Sequence, residues 1–120
     1  MKNILLIEDD PLMMRIYSKK LEESGFRVDI ATDGEKGLKA LKQCKPDLLL
    51  LDIVLPRVDG WEMLEKIRKK KEFRDLKIII LSNLGQNENI KKSRGMGVVA
   101  YLIKAHYSPT EIVNEIKKYV

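Results

Sequence analysis

The chain has 120 residues, of which 44% are hydrophobic and 34% charged, and its 23 basic and 18 acidic side chains give a formal net charge of +5. This length suits one domain over residues 1–120 and excludes a second folded unit of ordinary size. No apolar run approaches the ~20 residues that cross a bilayer, so a membrane-spanning protein is not expected.

Short β-rich runs alternate with amphipathic stretches along the chain. The pattern predicts strand 3–8, helix 11–24, strand 27–31, helix 34–44, strand 47–52, helix 60–70, strand 77–82, helix 87–95, strand 98–103 and helix 109–119. Five β–α units in sequence indicate an α/β fold with a parallel sheet. The fourth helix has only Ile90 and Met96 as sizeable apolar anchors, so we expect it to pack most weakly.

The composition of the strands predicts their order in the sheet. The first, third and fourth are continuously apolar, as strands covered on both faces must be. Asp29 lies inside the second strand and Tyr101 inside the fifth, which places these two at the edges and gives the order 2-1-3-4-5. In such a doubly wound sheet, ligands bind beyond the carboxyl ends of the strands at the crossover point, here strands 1 and 3.

The N-terminus and the charge distribution bear on location and partners. Residues 1–3 lead directly into a short apolar run without a cleavage site, so a cytoplasmic location is expected. Basic residues are spread over several predicted helices, and the densest run, Lys66–Lys71, ends one of them, where cations complement the helix dipole. We therefore expect solvated helix faces and no direct binding of nucleic acid by this domain.

Acidic residues follow the first and third strands. Glu8, Asp9 and Asp52 are expected in one crevice, and at ~4 Å with an effective dielectric near 20 each pair of like charges costs roughly 4 kcal/mol before screening, which favours a bound cation. Oxygen ligands without thiolate or imidazole suit Mg²⁺ rather than zinc. Asp10 is set apart, because Asp10-Pro11 has the pattern of an N-cap followed by proline at the first helical position.

The fourth and fifth strands end in Ser82 and Lys104, which the strand order places beside the same crevice. A hydroxyl and an ammonium group suit the equatorial oxygens of a phosphoryl group transferred to Asp52. Taken singly, each residue has a simpler interpretation as an exposed side chain at a strand end. The inference depends on four strand ends that supply complementary groups.

Four segments of the chain resemble the receiver domains of bacterial two-component response regulators: LLIEDDP, LLLLDIVLPRVDG, IIILSN and AYLIK. The resemblance spans the whole chain and implies a flavodoxin-like fold with five parallel strands and five helices. The order 2-1-3-4-5 is known for this family, so it is not an independent result. The resemblance also implies a phosphoprotein that acts as a signalling switch and catalyses only its own phosphorylation and slow dephosphorylation.

The resemblance implies roles for individual residues. Asp52 is expected to accept a phosphoryl group from a sensor histidine kinase or a phosphotransfer protein in a Mg²⁺-dependent reaction. The expected metal ligands are Glu8 through water, Asp9, Asp52 and the backbone carbonyl of Val54. The groups expected to bind the phosphoryl group are Ser82, the backbone amide of Asn83, and Lys104. The expected switch residues are Ser82 and Tyr101.

The output surface implied by the resemblance is formed by the fourth helix, the fifth strand and the fifth helix. Phosphorylation would bias a pre-existing equilibrium of the fourth helix, and this surface would control an unknown output protein or domain, or form a homodimer. Tyr101 has a competing interpretation as packing at the sheet edge.

Several positions depart from the family pattern. Ala105 stands where the family has a cis proline, and a cis bond before alanine would cost ~3 kcal/mol, so altered kinetics are expected. Asn83 stands where a small residue is common, which would narrow access for the phosphodonor. Val54 and Leu84 have no side-chain group that could position a hydrolytic water, so a long-lived phosphorylated state is expected.

Other functional classes fit the sequence less well. A phosphatase with an aspartyl nucleophile needs a second aspartate two residues after Asp52, where this chain has Val54. A nucleotide site would need a glycine-rich phosphate-binding motif after the first strand, and none is present. The main alternative is a receiver fold that binds its partner without phosphorylation. Ala105 and Asn83 favour that alternative, and the intact acidic cluster argues against it.

Overall fold

The five strands form one parallel sheet in the order β2-β1-β3-β4-β5, as the sequence predicts. The computed structural model describes all 120 residues. The strands are β1 Asn3–Ile7, β2 Arg27–Ala31, β3 Leu48–Leu51, β4 Lys77–Ser82 and β5 Ala100–Ile103. The last strand was predicted from residue 98; Val99 still donates its amide to the Ile78 carbonyl at 2.9 Å, but regular pairing begins at Ala100.

Five α-helices follow the strands, close to their predicted positions. They are α1 Pro11–Glu23, α2 Gly34–Cys44, α3 Gly60–Arg68, α4 Asn87–Gly95 and α5 Pro109–Lys117. The third helix ends two residues earlier than predicted, because the chain turns into a short 3-10 helix, Lys71–Phe73, that buries the Phe73 ring. A second 3-10 turn, Lys104–His106, follows β5 and was also not predicted. No helix has the length and apolar character that crossing a bilayer requires.

Two apolar layers, one on each face of the sheet, form the core. Successive side chains of a strand point to opposite faces, so the leucine and isoleucine runs of β1, β3 and β4 supply both layers. Leu41, Met63 and Ile67 bring α2 and α3 onto one face. Tyr17 and Leu21 of α1, together with the apolar stripe of α5, cover the other. Every residue of β3 is fully buried, which confirms its predicted central position.

The fourth helix is the most weakly buried of the five. Its only buried residue is Ser93, whose hydroxyl donates to the Ile90 carbonyl at 2.6 Å. No side chain caps its N-terminus, whereas each of the other helices has a side-chain cap there. The expected weak packing of α4 is thus present in the structure.

Two local features fix the loops at the carboxyl edge of the sheet. Asp10 caps α1, its Oδ1 accepting from the amides of Leu12 at 2.9 Å and Met13 at 3.3 Å, which confirms its predicted structural role. Gly60 begins α3 directly against the end of β3. A β-carbon at Gly60 would lie 2.6 Å from the Ile53 Cα and 2.8 Å from the Asp52 carbonyl oxygen, so only glycine permits this close approach.

The start of α5 provides a test of local stability. Ser108 and Glu111 form a capping box, with Ser108 Oγ accepting from the Glu111 amide at 3.1 Å and the Glu111 carboxylate accepting from the Ser108 amide at 2.9 Å. We expect Ser108→Ala to lower the free energy of unfolding by about 1 kcal/mol in urea titrations. Ser24→Ala is the control, because the Ser24 hydroxyl makes no hydrogen bond. Equal losses in the two variants would contradict the assignment.

The capping box should also depend on pH. Hydrogen bonds from the Ser108 backbone and side chain lower the pKa of Glu111 below its ordinary value. A carboxyl group of this kind stabilises the fold above its unfolded-state pKa, and the contribution is lost as the pH falls through the lower folded-state pKa. The difference between the native chain and Glu111→Gln should therefore shrink below about pH 4.

Candidate metal and phosphoryl site

The structure brings together the three carboxylates that the sequence placed at the sheet edge. Oxygen atoms of Glu8, Asp9 and Asp52 all lie within 4.8 Å of one another. The parallel pairing of β1 with β3 causes this, because Ile7 lies opposite Leu51 and the next residues of both strands emerge side by side. Glu8 is 1% exposed and Asp52 is 7% exposed, whereas Asp9 is open to solvent. Two of the three acids are therefore held largely out of water.

Lys104 is the counter-ion of the two buried acids. Its Nζ lies 2.9 Å from Asp52 Oδ2 and also donates to Glu8 Oε1. Burial opposes the charged form of Lys104, but the hydrogen bonds to Glu8 and Asp52 outweigh it and raise the pKa of the lysine. Burial likewise raises the pKa of Glu8, and Lys104 works against that rise. The sequence placed Lys104 beside the crevice but did not predict that it bridges both carboxylates.

Asp52 adjoins a cavity of about 270 Å³. The cavity is lined by Asp52, Val54, Ser82, Asn83, Leu84 and Lys104. Asp52 Oδ1 accepts from the Val54 amide at 3.2 Å, which leaves Oδ2 on the side of Lys104. Asn83 and Val54 are exposed, the latter to 58%. The lining of this space includes a carboxylate, a hydroxyl, an amide and an ammonium group, the set that a phosphoryl group requires.

Ser82 and Tyr101 are joined through one residue of the loop after β4. The buried Ser82 hydroxyl accepts from the Leu84 amide at 3.2 Å, and the Tyr101 hydroxyl donates to the Leu84 carbonyl. Burial raises the pKa of Tyr101. The ring also packs against the core, so edge packing and a hydrogen bond to the loop coexist. Any movement of Ser82 would therefore disturb the backbone that Tyr101 holds.

The Lys104–Ala105 peptide bond is trans, as are all other peptide bonds of the chain. Lys104 nevertheless reaches both carboxylates from the beginning of the 3-10 turn. The missing cis proline thus does not keep the lysine out of the acidic site.

The donor set of the acidic cluster fits Mg²⁺. It consists of carboxylate oxygens, with the Val54 backbone carbonyl as a further expected oxygen ligand, and it contains no thiolate or imidazole. Mg²⁺ prefers such hard ligands and retains several waters, which suits a cluster open to solvent through Asp9. The ammonium of Lys104 donates hydrogen bonds to two of the three carboxylates, those of Glu8 and Asp52. A metal ion and this lysine would therefore compete for the same two negatively charged groups.

Tyr17 of α1 lies near the site, although the sequence analysis assigned it no functional role. It lines a second cleft of about 350 Å³, bounded by Asp10, Met13, Tyr17, Asn83, Lys104, Ala105, Tyr107 and Pro109. Its hydroxyl has no protein hydrogen-bond partner, and burial raises its pKa. The sequence did contain a signal for this position near the site. Tyr17 is a phenol among the apolar residues of α1, the helix that directly follows the acidic run.

The sequence of the chain is similar to a known protein family and to several curated proteins. A family model described as the response regulator receiver domain matches residues 4–117. A probable transcriptional regulator, ycf29 of Porphyra purpurea, is 34% identical over 118 residues, which are 98% of this chain and 56% of that protein. The chain spans about half the length of the curated relatives it matches.

Solved structures resemble the chain over almost its full length. A CheY-like response regulator receiver domain protein from Methanospirillum hungatei JF-1 has a TM-score of 0.89 and 31% identity, covering 98% of this chain and 92% of its own. The Mn²⁺-bound form of the response regulator Rcp1 has a TM-score of 0.87 and 26% identity, covering 99% and 94%. The parallel sheet and its strand order are therefore those of known receivers.

The bridging lysine generates a stability prediction. Lys104→Met leaves Glu8 and Asp52 buried without a counter-ion, so we expect it to lower the free energy of unfolding by about 3–5 kcal/mol at neutral pH. Millimolar Mg²⁺ should restore more stability in this variant than in the native chain. The loss should shrink as the pH falls, because the raised pKa of Glu8 lets the folded state take up a proton first.

Urea unfolding with and without Mg²⁺ measures these effects. Lys118→Met serves as control, because its ion pair with Glu115 is exposed and is worth at most about 1 kcal/mol. Equal losses in the two lysine variants would contradict the counter-ion role of Lys104.

Proposed function

Since the chain belongs to the response regulator receiver family, we propose that it is a two-component signalling switch in which Asp52 accepts a phosphoryl group in a Mg²⁺-dependent reaction. The observation that carries the proposal is the pairing of Asp52 with Lys104 at the cavity that Ser82 and Asn83 also line. A nucleophile, a cation and hydrogen-bond donors then surround one space large enough for a phosphoryl group. The donor is a phosphohistidine on a sensor kinase or a phosphotransfer protein.

The transfer needs little covalent chemistry from the protein. A carboxylate oxygen of Asp52 attacks phosphorus, the phosphorus–nitrogen bond to the donor imidazole breaks, and the ring keeps the electron pair and takes up a proton. The Val54 amide orients Asp52 through Oδ1. Lys104 moves from the carboxylates to an equatorial oxygen of the phosphoryl group, and the Ser82 hydroxyl and the Asn83 amide bind the others.

Glu8, Asp9, Asp52 and the Val54 carbonyl are the groups that would hold Mg²⁺, with Glu8 acting through water. The bound ion supplies positive charge to the carboxylates and to the incoming phosphoryl oxygens. The similar response regulator Rcp1 has been solved in a Mn²⁺-bound form, which supports the binding of a divalent metal by this chain. Displacement of Lys104 from two acids by the ion would free the lysine for the phosphoryl group.

The switch acts through Leu84. Ser82 leaves the Leu84 amide when its hydroxyl turns to the phosphoryl group, and the Tyr101 hydroxyl bonded to the Leu84 carbonyl must then adjust. Leu84 lies three residues before the start of α4, the most weakly buried helix. The surface of α4, β5 and α5 is therefore the one whose affinity for a partner, an output domain or a second copy of the chain changes.

The relatives of the chain bear on what the switch controls. The curated relatives are transcriptional regulators about twice as long as this chain, which supports control of an output domain or protein rather than nucleic-acid binding by the receiver itself. We propose a cytoplasmic protein that catalyses only its own phosphorylation and slow dephosphorylation.

One observation favours a phosphorylation-independent interaction module as the second candidate. Lys104 already neutralises Glu8 and Asp52, so the acidic site is held together without a metal ion or a phosphoryl group. In that case the α4–β5–α5 surface would bind its partner constitutively, and substitution of Asp52 would not change the affinity.

Intact-protein mass spectrometry after incubation with acetyl phosphate tests the phosphorylation. We expect a single phosphoryl adduct that requires Mg²⁺ and is absent from Asp52→Asn. Asp10→Asn is the matched control, because Asp10 caps α1 outside the proposed ligand set and asparagine is an equally good cap. Absence of an adduct in the native chain with several phosphodonors would instead support the constitutive module.

The lifetime of the phosphorylated state is a separate prediction. Neither Val54 nor Leu84 offers a side-chain group that could position a hydrolytic water at the cavity they line. We expect the adduct to outlast seconds by a wide margin with Mg²⁺ present and no phosphatase, and Val54→Asn to shorten its half-life severalfold. Val99→Asn, at an exposed apolar position outside the cavity, should leave it unchanged. A native half-life of seconds would refute this prediction.

A further inference from the structure

Arg68 binds four backbone carbonyls from two separate segments of the chain. Its Nε donates to Met96 at 2.9 Å, and its Nη2 donates to Gly97 at 3.0 Å, both in the turn between α4 and β5. Its Nη1 donates to Phe73 at 2.9 Å and to Arg74 at 3.2 Å, in the segment between α3 and β4. No carboxylate forms an ion pair with it. The guanidinium therefore joins the end of α3 to the end of α4.

This arrangement departs from the sequence prediction. Arg68 belongs to the basic run Lys66–Lys71, which was interpreted as a solvated helix end. The structure instead gives Arg68 a half-buried position in which a planar group with five N–H donors binds carbonyls just beyond the ends of two helices. Gly97, at a φ of +76°, shapes the turn that presents two of these carbonyls.

The two ends of α4 differ in how they are attached. At the carboxyl end, Ser93 is buried and Arg68 binds the turn that follows the helix. Lys92, one residue earlier, places its ammonium 4.6 Å from the centre of the Trp61 ring of α3, a cation–π contact. The amino end has no side-chain cap and no buried side chain. It also follows directly on residues 83–86, the loop between β4 and α4 that contains Leu84 and is called the Leu84 loop below.

We propose that Arg68 is the positioning residue that anchors the carboxyl end of α4, so that α4 pivots about this end when the Leu84 loop moves. The anchor itself is independent of phosphorylation, and only the pivoting motion rests on the proposed function. A fixed carboxyl end turns a small displacement beside Ser82 into a tilt of the helix. Without the anchor, the same displacement would shift α4 as a whole.

Amide hydrogen exchange by NMR on the metal-free protein tests the anchor. The amides of Met96, Gly97 and Val98 are suitable reporters, because each donates to a carbonyl in the last turn of α4. We expect Arg68→Met, which keeps most of the aliphatic stem, to accelerate their exchange roughly tenfold or more, the range of local opening. Arg74→Met is the matched control, since Arg74 and Arg68 line one cleft of about 580 Å³ and the Arg74 side chain makes no hydrogen bond. Equal exchange in the two variants would overturn the proposal.

Arg68→Lys separates anchoring from general stability. It keeps the charge but cannot supply four fixed donors, so exchange should rise at these amides while the urea midpoint changes little. If both Arg68→Lys and Arg68→Met lose the whole fold, the guanidinium supports the entire domain and the specific role in α4 is refuted.

The pivot is tested by adding Mg²⁺ and beryllofluoride, a phosphoryl analogue, to the native chain and to Arg68→Lys. In the native chain, chemical-shift changes should be large at residues 86–90 and small at 96–98. In the variant they should extend to 96–98. Equal changes along α4 in the native chain would refute the pivot but leave the anchor standing. Binding of the analogue without any change in α4 would count against the proposed switch and the pivot together.

Discussion

The bridge from Lys104 to Glu8 and Asp52 is the interaction on which the acidic site depends. Two nearly buried carboxylates on neighbouring strands would repel each other, and the fold compensates with a lysine that lies 96 residues beyond Glu8 in the chain. The site is therefore complete only when β5 has joined the sheet. The same bridge would couple ligand binding to the position of Lys104. A cation or phosphoryl group that bound the acids would change the groups that the lysine contacts.

Sequence reasoning succeeded where structure follows from local pattern. The continuous apolar runs fixed which strands are central, and Asp10-Pro11 marked the start of α1, because burial and helix capping depend on residues close together in the chain. It could also place Ser82 and Lys104 at one edge of the sheet. It could not say which atoms Lys104 would meet, since a long flexible side chain has several partners within reach and the choice is made by tertiary packing.

Arg68 is a residue whose contacts could not be predicted from the sequence. Within a run of lysines it had the composition of a solvated helix end, and nothing in the spacing distinguished it from its neighbours. Its partners are backbone carbonyls, which leave no mark in a sequence. The 3-10 turn at Lys71–Phe73 was missed for a related reason, because burial of the Phe73 ring decides where α3 ends. The contacts of Arg68 lie at one end of α4, and the loop that precedes the other end of this helix lines the cavity at Asp52.

Trp61 is the only tryptophan of the chain, and the Lys92 ammonium of α4 lies 4.6 Å from the centre of its ring. An indole reports through its emission on a nearby charge, so the chain contains an intrinsic optical probe at the junction between a fixed helix and a loosely held one. Lys92 lies at the carboxyl end of α4, so the emission would report whether that end stays in place when the loop after β4 moves, and rapid mixing could follow it without any label. Because no second indole contributes a background signal, a displacement of Lys92 would appear as a single, assignable change in fluorescence and would show that the carboxyl end had moved.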